Sequence, residues 1–351
     1  MSNTAANITK QDFEAVFSAN LPWNMLEGKT VLVTGATGML ASFITGFLVF
    51  LRKEKGMDIR TAALCRSRVK AERLFGPMAE EGLLTILEQD VTEPVETSLP
   101  IDYILHFAGN ASPYFIVNEP VDICRSNLIG TFNMAELARR KGCKKLIFAS
   151  TREVYGKNED TEMLKEDSFG TLDCMEDRAC YPESKRAAET ILHSYFLQYG
   201  VNSNAIRIAH SYGPGMQLNN DGRVMADLMG DAVAGRDIIL KSSGEAERAF
   251  CYISDAVSGI FHIMLKGEAG AAYNLSNETE PVMIRDLAKM LASHRTDIQI
   301  KVTYDLSASG KGYCNYKRSG LDTSKTEALG WKPLVSLEEG TRRTLLSFTE
   351  K

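Results

Sequence analysis

Short apolar runs alternate along the first two thirds of this chain with longer stretches in which apolar residues return every three or four positions. The runs TVLVTG (30–35), RTAALC (60–65), LLTILEQD (83–90), YILHFAG (103–109), KKLIFAS (144–150) and SNAIRIAH (203–210) have the length and β-branched content of buried strands. Between them the periodicity predicts helices at Met39–Lys53, Val69–Glu80, Pro120–Lys141 and Pro182–Tyr199. Strands apolar on both faces and joined through helices imply α/β architecture, a doubly wound parallel sheet covered on both sides. Residues 9–26 read as one short helix beside the core, within a helical extension over 1–28. After residue 209 the rhythm changes to Gly/Asn-rich loops and short elements. This predicts a main domain over 29–208 and a smaller substrate-binding lobe over 209–351, of which about 236–265 returns to the main domain.

Composition narrows the function classes. The 351 residues are 44% hydrophobic and 24% charged with a net charge of -5, which suits a globular protein and gives no electrostatic case for a nucleic-acid partner. The apolar stretch FITGFLVFL (Phe43–Leu51) is far short of the roughly 20 residues a bilayer requires, so it reads as a core helix and no membrane partner is expected. The start, MSNTAANITKQDFEAVF, lacks the basic-then-apolar order of a secretory leader, and a reduced, cytoplasmic enzyme is the expectation. Seven cysteines without a C-x-x-C pair indicate neither a zinc site nor a disulfide framework, and no metal is expected.

The first predicted strand runs into Gly35-Ala36-Thr37-Gly38-Met39-Leu40-Ala41. Glycines there let the backbone turn sharply and approach a pyrophosphate at a helix N-terminus. Asp90-Val91 and Ala108-Gly109 close later strands where the adenine and the nicotinamide ribose of a dinucleotide would lie, so the turn is read as the start of a Rossmann-type domain. The second strand ends on Cys65-Arg66-Ser67-Arg68 where an acidic residue would mark NAD. A guanidinium suits the 2′-phosphate of NADP, and the alternative is a pair of solvated loop arginines. The cofactor is thus NAD or NADP, with Arg66 favouring NADP.

Chemistry concentrates further along. In RACYPESKRAAET, Tyr181 and Lys185 stand at i and i+4 on one helix face, behind Pro182 at the first turn. Bringing a phenol from its ordinary pKa of about 10 to near 7 takes about 4 kcal/mol. An ammonium and an oxidised nicotinamide ring can supply that attraction. The strand KKLIFAS leaves the core through Ser150-Thr151-Arg152-Glu153, a hydroxyl pair, a cation and a carboxylate.

With TGATGMLA, HFAGNAS, SNLIGTFNMAELAR, STREVYG, YPESK, NDGRV, RAFCYISD and LGWKPLVSLEEG, the chain resembles the extended short-chain dehydrogenase/reductase family (NAD-dependent epimerase/dehydratase) over about 29–340. RACYPESKRAAET, NNDGRV and ERAFCYISDAV are most similar to the UDP-glucuronate decarboxylases, the UDP-xylose synthases. The resemblance implies a nucleotide-sugar substrate whose C4 is oxidised by a retained NAD(P). It implies that Gly35, Thr37, Gly38, Met39, Leu40, Arg66, Asp90, Val91, Ala108, Gly109, Asn127, Tyr181 and Lys185 contact the dinucleotide. It implies that Thr151 bonds the sugar O4 beside Tyr181, that Glu153 lies near C5, and that Arg318 stands by the reacting sugar. Ser150 is matched to a structural strand-end position. Ser112, Arg152, His210, Arg223 and Arg248 are assigned to the substrate. Family members pair the helices at Pro120–Lys141 and Pro182–Tyr199 across a two-fold axis, which implies a homodimer.

Three departures from the family pattern matter. In dTDP-glucose 4,6-dehydratases the position of Arg152 is an Asp that protonates a leaving hydroxyl; arginine is a poor proton donor at neutral pH, which favours decarboxylation over dehydration. His210 and Gly215 replace an asparagine and an arginine in the family's N-T-Y-G-P-R, and Ser-Gly follows Arg318 where Lys-Pro is usual. The alternatives are a nucleotide-hexose 4,6-dehydratase or 4-epimerase, an NADPH-dependent 4-keto-sugar reductase, and a non-catalytic dinucleotide sensor, which would not need to keep both Tyr181 and Lys185.

Overall fold

Seven parallel strands form the centre of the computed structural model, which describes residues 3–158, 163–218, 221–306 and 320–350. They are β1 (Lys29–Thr34), β2 (Ile59–Cys65), β3 (Leu84–Glu88), β4 (Tyr103–His106), β5 (Lys145–Thr151), β6 (Ser203–Ile208) and β7 (Ala272–Leu275). Their spatial order is β3-β2-β1-β4-β5-β6-β7. The winding direction reverses between β1 and β4, and in open α/β sheets ligands bind in the crevice at the strands' C-terminal ends at such a reversal. Six of the strands fall where the apolar runs predict them. β7 is the addition.

The helices in chain order are α1 (Asn3–Phe17), α2 (Met39–Glu54), α3 (Arg68–Glu80), α4 (Pro113–Asn118), α5 (Pro120–Lys141), α6 (Cys180–Tyr199), α7 (Val224–Ala234), α8 (Ile253–Lys266), α9 (Ile284–Ser293), α10 (Ser324–Glu327) and α11 (Leu337–Thr349). The N-terminal helix starts and stops earlier than its apolar pattern suggests, and a separate 3₁₀ turn covers Trp23–Leu26. α5 and α6 pack on one face of the sheet through Met134, Ala135, Ala138, Ala188 and Leu192. The other face carries α2 and α8, with Phe47, Leu48, Ile260 and Phe261 in a core that continues to α1 and α11. The segment FITGFLVFL is the middle of α2 and is buried on all sides. Among the described residues, no helix is long and apolar enough to cross a membrane.

Beyond β6, Ile238–Leu240 pairs with Val302–Tyr304 in a separate small sheet. The chain returns through α8, and β7 then pairs with β6 from Ala272↔Ala205 to Leu275↔Ile208. α1 is tied to this half by Asp12, which is fully buried, accepts from the Tyr252 hydroxyl at 2.7 Å and meets the Arg343 guanidinium at 2.7 Å.

Candidate active site

The exits of β1, β4 and β5 converge at the reversal point. β1 passes into the turn from Gly35 to Gly38, and α2 starts at Met39. Gly35 is in the left-handed region at φ +62, and a Cβ there would stand 2.8 Å from Ala108 Cα, Ala108 N and Phe107 O. Glycine therefore permits the two strand exits to touch. Thr37, Met39 and Leu40 are half-buried along this turn. Below it, Thr34 Oγ1 accepts from the Ala108 N–H at 3.2 Å and meets His106 Nδ1 at 2.8 Å. The other His106 nitrogen lies 3.4 Å from Thr131 Oγ1 of α5. Burial, aided by the Lys185 cation, pushes His106 down to about 3, so the neutral ring serves as a strut between β1, β4 and α5.

At the far end of the crevice, Arg66 is 74% exposed with Nη1 3.9 Å from Asp90 Oδ2. A cation and a carboxylate thus face each other just beyond the C-terminal ends of β2 and β3. Asp90 also accepts from the Thr92 N–H and hydroxyl at 2.9 Å each, and Val91 behind it is buried. Arg68 is engaged with Glu72 at 2.8 Å.

At the near end, Gly109 has φ +142, and a Cβ there would come 2.7 Å from Asn127 Oδ1 and 3.5 Å from Lys185 Nζ. Asn127, fully buried on α5, donates Nδ2 to Ser184 Oγ at 2.9 Å, while its Oδ1 is buried with no hydrogen-bond partner among the described residues. That orphaned acceptor, the glycine-floored turn and the N-terminus of α2 are groups that a dinucleotide satisfies, so the residues present fit one.

α6 opens at Cys180 and carries Tyr181 and Lys185 on one face, each 5% exposed. Lys185 Nζ lies 6.0 Å from the Tyr181 ring centre and donates to Ala149 O of β5 at 2.7 Å. The Tyr181 hydroxyl bonds Thr151, whose Oγ1 also accepts from the Glu153 N–H at 3.2 Å. Glu153 faces Arg178, whose Nη2 is 3.3 Å from both carboxylate oxygens. Ser150, by contrast, donates to Glu189, which pairs with Arg207 at 2.8 Å under the sheet end.

Burial is the largest influence on both groups: it pushes Tyr181 well above the ordinary phenol range and Lys185 down to about 7. Glu153 raises the phenol further, while the Thr151 hydrogen bond, Arg223 and Arg178 lower it.

A basic cluster adjoins this pair. His210 alone among the described non-glycine residues has positive φ, at +43, and its Nε2 is buried without a hydrogen-bond partner. Burial and the positive charges of Arg152, Arg248 and Arg223 hold its imidazole well below its usual range. Arg223 chelates buried Asp221, with Nη2–Oδ2 at 2.7 Å, and Ser112 Oγ donates to Asp221 O at 2.8 Å. Arg248 donates to Glu247 O at 2.7 Å. The fold therefore gathers Ser112, Arg152, His210, Arg223, Tyr181, Thr151 and Glu153 on one side of the crevice. Arg318 lies outside the described residues.

Four members of the site carry no assignment from sequence: His106, Ser184, Asp221 and Arg178. His106 and Ser184 show only as polar residues in a strand and a helix. Asp221 lies two positions from Arg223, and Arg178 three before Tyr181, a spacing that puts it at the entry of the same helix.

A doubly wound dinucleotide fold with a buried Tyr–Lys pair at its reversal point defines an enzyme of the short-chain dehydrogenase/reductase class. The chain belongs to the NAD dependent epimerase/dehydratase family, whose profile matches residues 31–276. It is 31% identical over 310 residues to UDP-glucuronic acid decarboxylase 6 of Arabidopsis thaliana, covering 88% of this chain and 86% of that protein. It is 32% identical over 326 residues to UDP-glucuronic acid decarboxylase 1 of Danio rerio, covering 92% of this chain and 73% of that protein. UDP-glucose 4-epimerase of Thermotoga maritima, solved with UDP-glucose, shares the fold with a TM-score of 0.77 at 24% identity, over 91% of this chain and 98% of that one. dTDP-glucose 4,6-dehydratase of Bacillus anthracis, solved with NAD, does so with a TM-score of 0.75 at 18% identity, over 91% and 96%.

Proposed function

We propose that this protein decarboxylates a nucleotide-linked uronic acid, UDP-glucuronate, to the corresponding pentose, with its dinucleotide retained from turnover to turnover. The observation that carries the reading is the hydrogen bond between Tyr181 and Thr151 beside Glu153, with the basic cluster on the same side and Arg152 where a dehydratase would need an acid. The identity to decarboxylases over most of the chain supports it.

When bound, the dinucleotide supplies a hydride acceptor and donor at sugar C4. Tyr181 takes the O4 proton while Thr151 holds the oxygen, and Lys185 with Asn127 and Gly109 binds the nicotinamide ribose. With C4 at the ketone level, the C5 carboxylate is β to a carbonyl. Its C5–carboxyl bond breaks, the electron pair moves into the C4–C5 enolate, and carbon dioxide departs. Glu153 orients C5 for the incoming proton, and Tyr181 returns the O4 proton at the end. The balance is UDP-glucuronate plus one proton to UDP-xylose plus carbon dioxide. Arg223 and Arg248 hold the diphosphate, for which planar multi-donor cations are suited, and the neutral His210 ring offers it a hydrogen bond.

Purified protein releasing carbon dioxide from UDP-glucuronate, without net consumption of NAD, is the expected result. No release from protein that binds the dinucleotide overturns the reading in favour of a 4-epimerase or 4,6-dehydratase, which product analysis with neutral UDP- and dTDP-hexoses distinguishes. NAD is the cofactor expected of this family. Arg66, solvated and 3.9 Å from Asp90, supports NADP as the second reading. Tenfold tighter NADP binding that disappears in Arg66→Glu would establish it, and equal affinities would remove it. A second copy of the chain is the proposed partner: Ile129 and Phe132 of α5 and Leu197 and Tyr199 of α6 are exposed on the helices that family members pair. Light scattering of the purified protein at the dimer mass is the expected result.

A further inference from the structure

We propose that Arg178 is a positioning residue: its guanidinium clamps the Glu153 carboxylate and shields the Tyr181 phenol from that negative charge. The proposal rests on the reading of Tyr181 as the proton acceptor and adds a residue that reading leaves unassigned.

Arg178 joins both halves of the site. Its carbonyl accepts the Tyr181 N–H at 3.2 Å, at the first turn of α6. Its Nη2 reaches across to Glu153, 3.3 Å from each carboxylate oxygen, on the 3₁₀ turn that follows β5. The two side chains are 36% and 38% exposed, so solvent screens the pair only in part and its worth lies in geometry rather than in stability. Glu153 is fixed from its own side as well, through its N–H to Thr151 Oγ1. Thr151 in turn bonds the phenol, so any swing of the carboxylate is felt at the proton-accepting oxygen.

The charges that bear on Tyr181 are Glu153, which opposes phenolate, and Arg223 and Arg178, which favour it. Lys185 stands 6.0 Å from the ring centre. Arg223 is already committed to Asp221. Without Arg178, an unpaired carboxylate would remain beside the phenol, and phenolate would form only at higher pH. In sequence this linkage joins residues 25 positions apart.

The test is an absorbance titration of tyrosinate on the NAD-saturated protein, read as the difference between each variant and the same variant carrying Tyr181→Phe. Wild type gives the reference midpoint for Tyr181. Arg178→Gln is expected to move that midpoint up by about one pH unit, the size of one unit charge acting through a partly solvated site. Arg178→Lys keeps the charge and stays near wild type. Glu153→Gln with Arg178→Gln removes both charges and returns the midpoint toward wild type, an outcome a merely misfolded loop would not give. The acid limb of kcat/KM with UDP-glucuronate should follow the same order among active variants. A wild-type midpoint that does not move in Arg178→Gln, or that moves equally in the double variant, overturns the role of Arg178 while leaving Tyr181 intact. A wild type with no Tyr181 ionisation below about pH 10 contradicts Tyr181 as the base and overturns the proposal and the functional reading together.

Discussion

Replacing Lys185 by methionine should make this protein more stable at pH 7, although it destroys the proposed site. The ammonium is 5% exposed, and burial lowers it from 10.5 to about 7. The sign follows from linkage: between these values the unfolded chain binds a proton that the folded one releases, so stability rises with pH up to about 10. At pH 7 the mismatch opposes folding by about 4 kcal/mol. Methionine removes it, but also removes the hydrogen bond to Ala149 O at 2.7 Å, which returns about 1 kcal/mol of instability. A net gain of about 3 kcal/mol remains, or a few °C in unfolding temperature for a chain of this size. Unfolding of wild type and Lys185→Met at pH 7 and pH 10 measures it. The variant should unfold higher at pH 7, and the gap should close or invert by pH 10. Lys145, which burial lowers to about 8, tilts both curves the same way and cancels in the comparison. A gap that stays constant with pH, or a variant less stable at pH 7, refutes the burial argument.

The other predictions concern single contacts. Tyr181→Phe should abolish turnover with dinucleotide affinity within about tenfold of wild type, because the phenol chiefly moves a proton; retained activity would contradict its role. Thr151→Val should lower kcat/KM by about 10–100-fold and leave dinucleotide binding unchanged, as measured by steady-state kinetics and fluorescence titration. Gly35→Ala should lower the unfolding temperature by several °C, since its Cβ meets three backbone atoms at 2.8 Å and the residue is left-handed; Gly38→Ala meets only Gly35 O at 3.3 Å and should unfold within about 2 °C of wild type. Equal melting of the two variants would refute the account of the turn.

The sheet was legible because its strands are apolar on both faces and its crossovers are full helices, so period and composition agree. The pair Tyr181 and Lys185 was legible because one helix sets its spacing. β7 was not: AYNL is four residues with a polar Asn274, which hides its burial through side-chain bonds to Tyr155 and to the Leu164 and Asp322 carbonyls. Nor was the electrostatics of the phenol, because Glu153, Arg178 and Arg223 come from three separate segments whose approach only the fold decides. Burial also lowers the Lys185 ammonium to about 7, which the spacing of Tyr181 and Lys185 on one helix face does not show.

β7 also gives the molecule an order of assembly. The strand that seals the β6 edge lies more than 60 residues downstream of it, beyond α7 and α8. A ribosome-bound chain released only as far as residue 208 would present β6 as an open edge, a template for pairing with another nascent chain. The seven-stranded sheet is therefore complete only once the chain as far as Leu275 has been made.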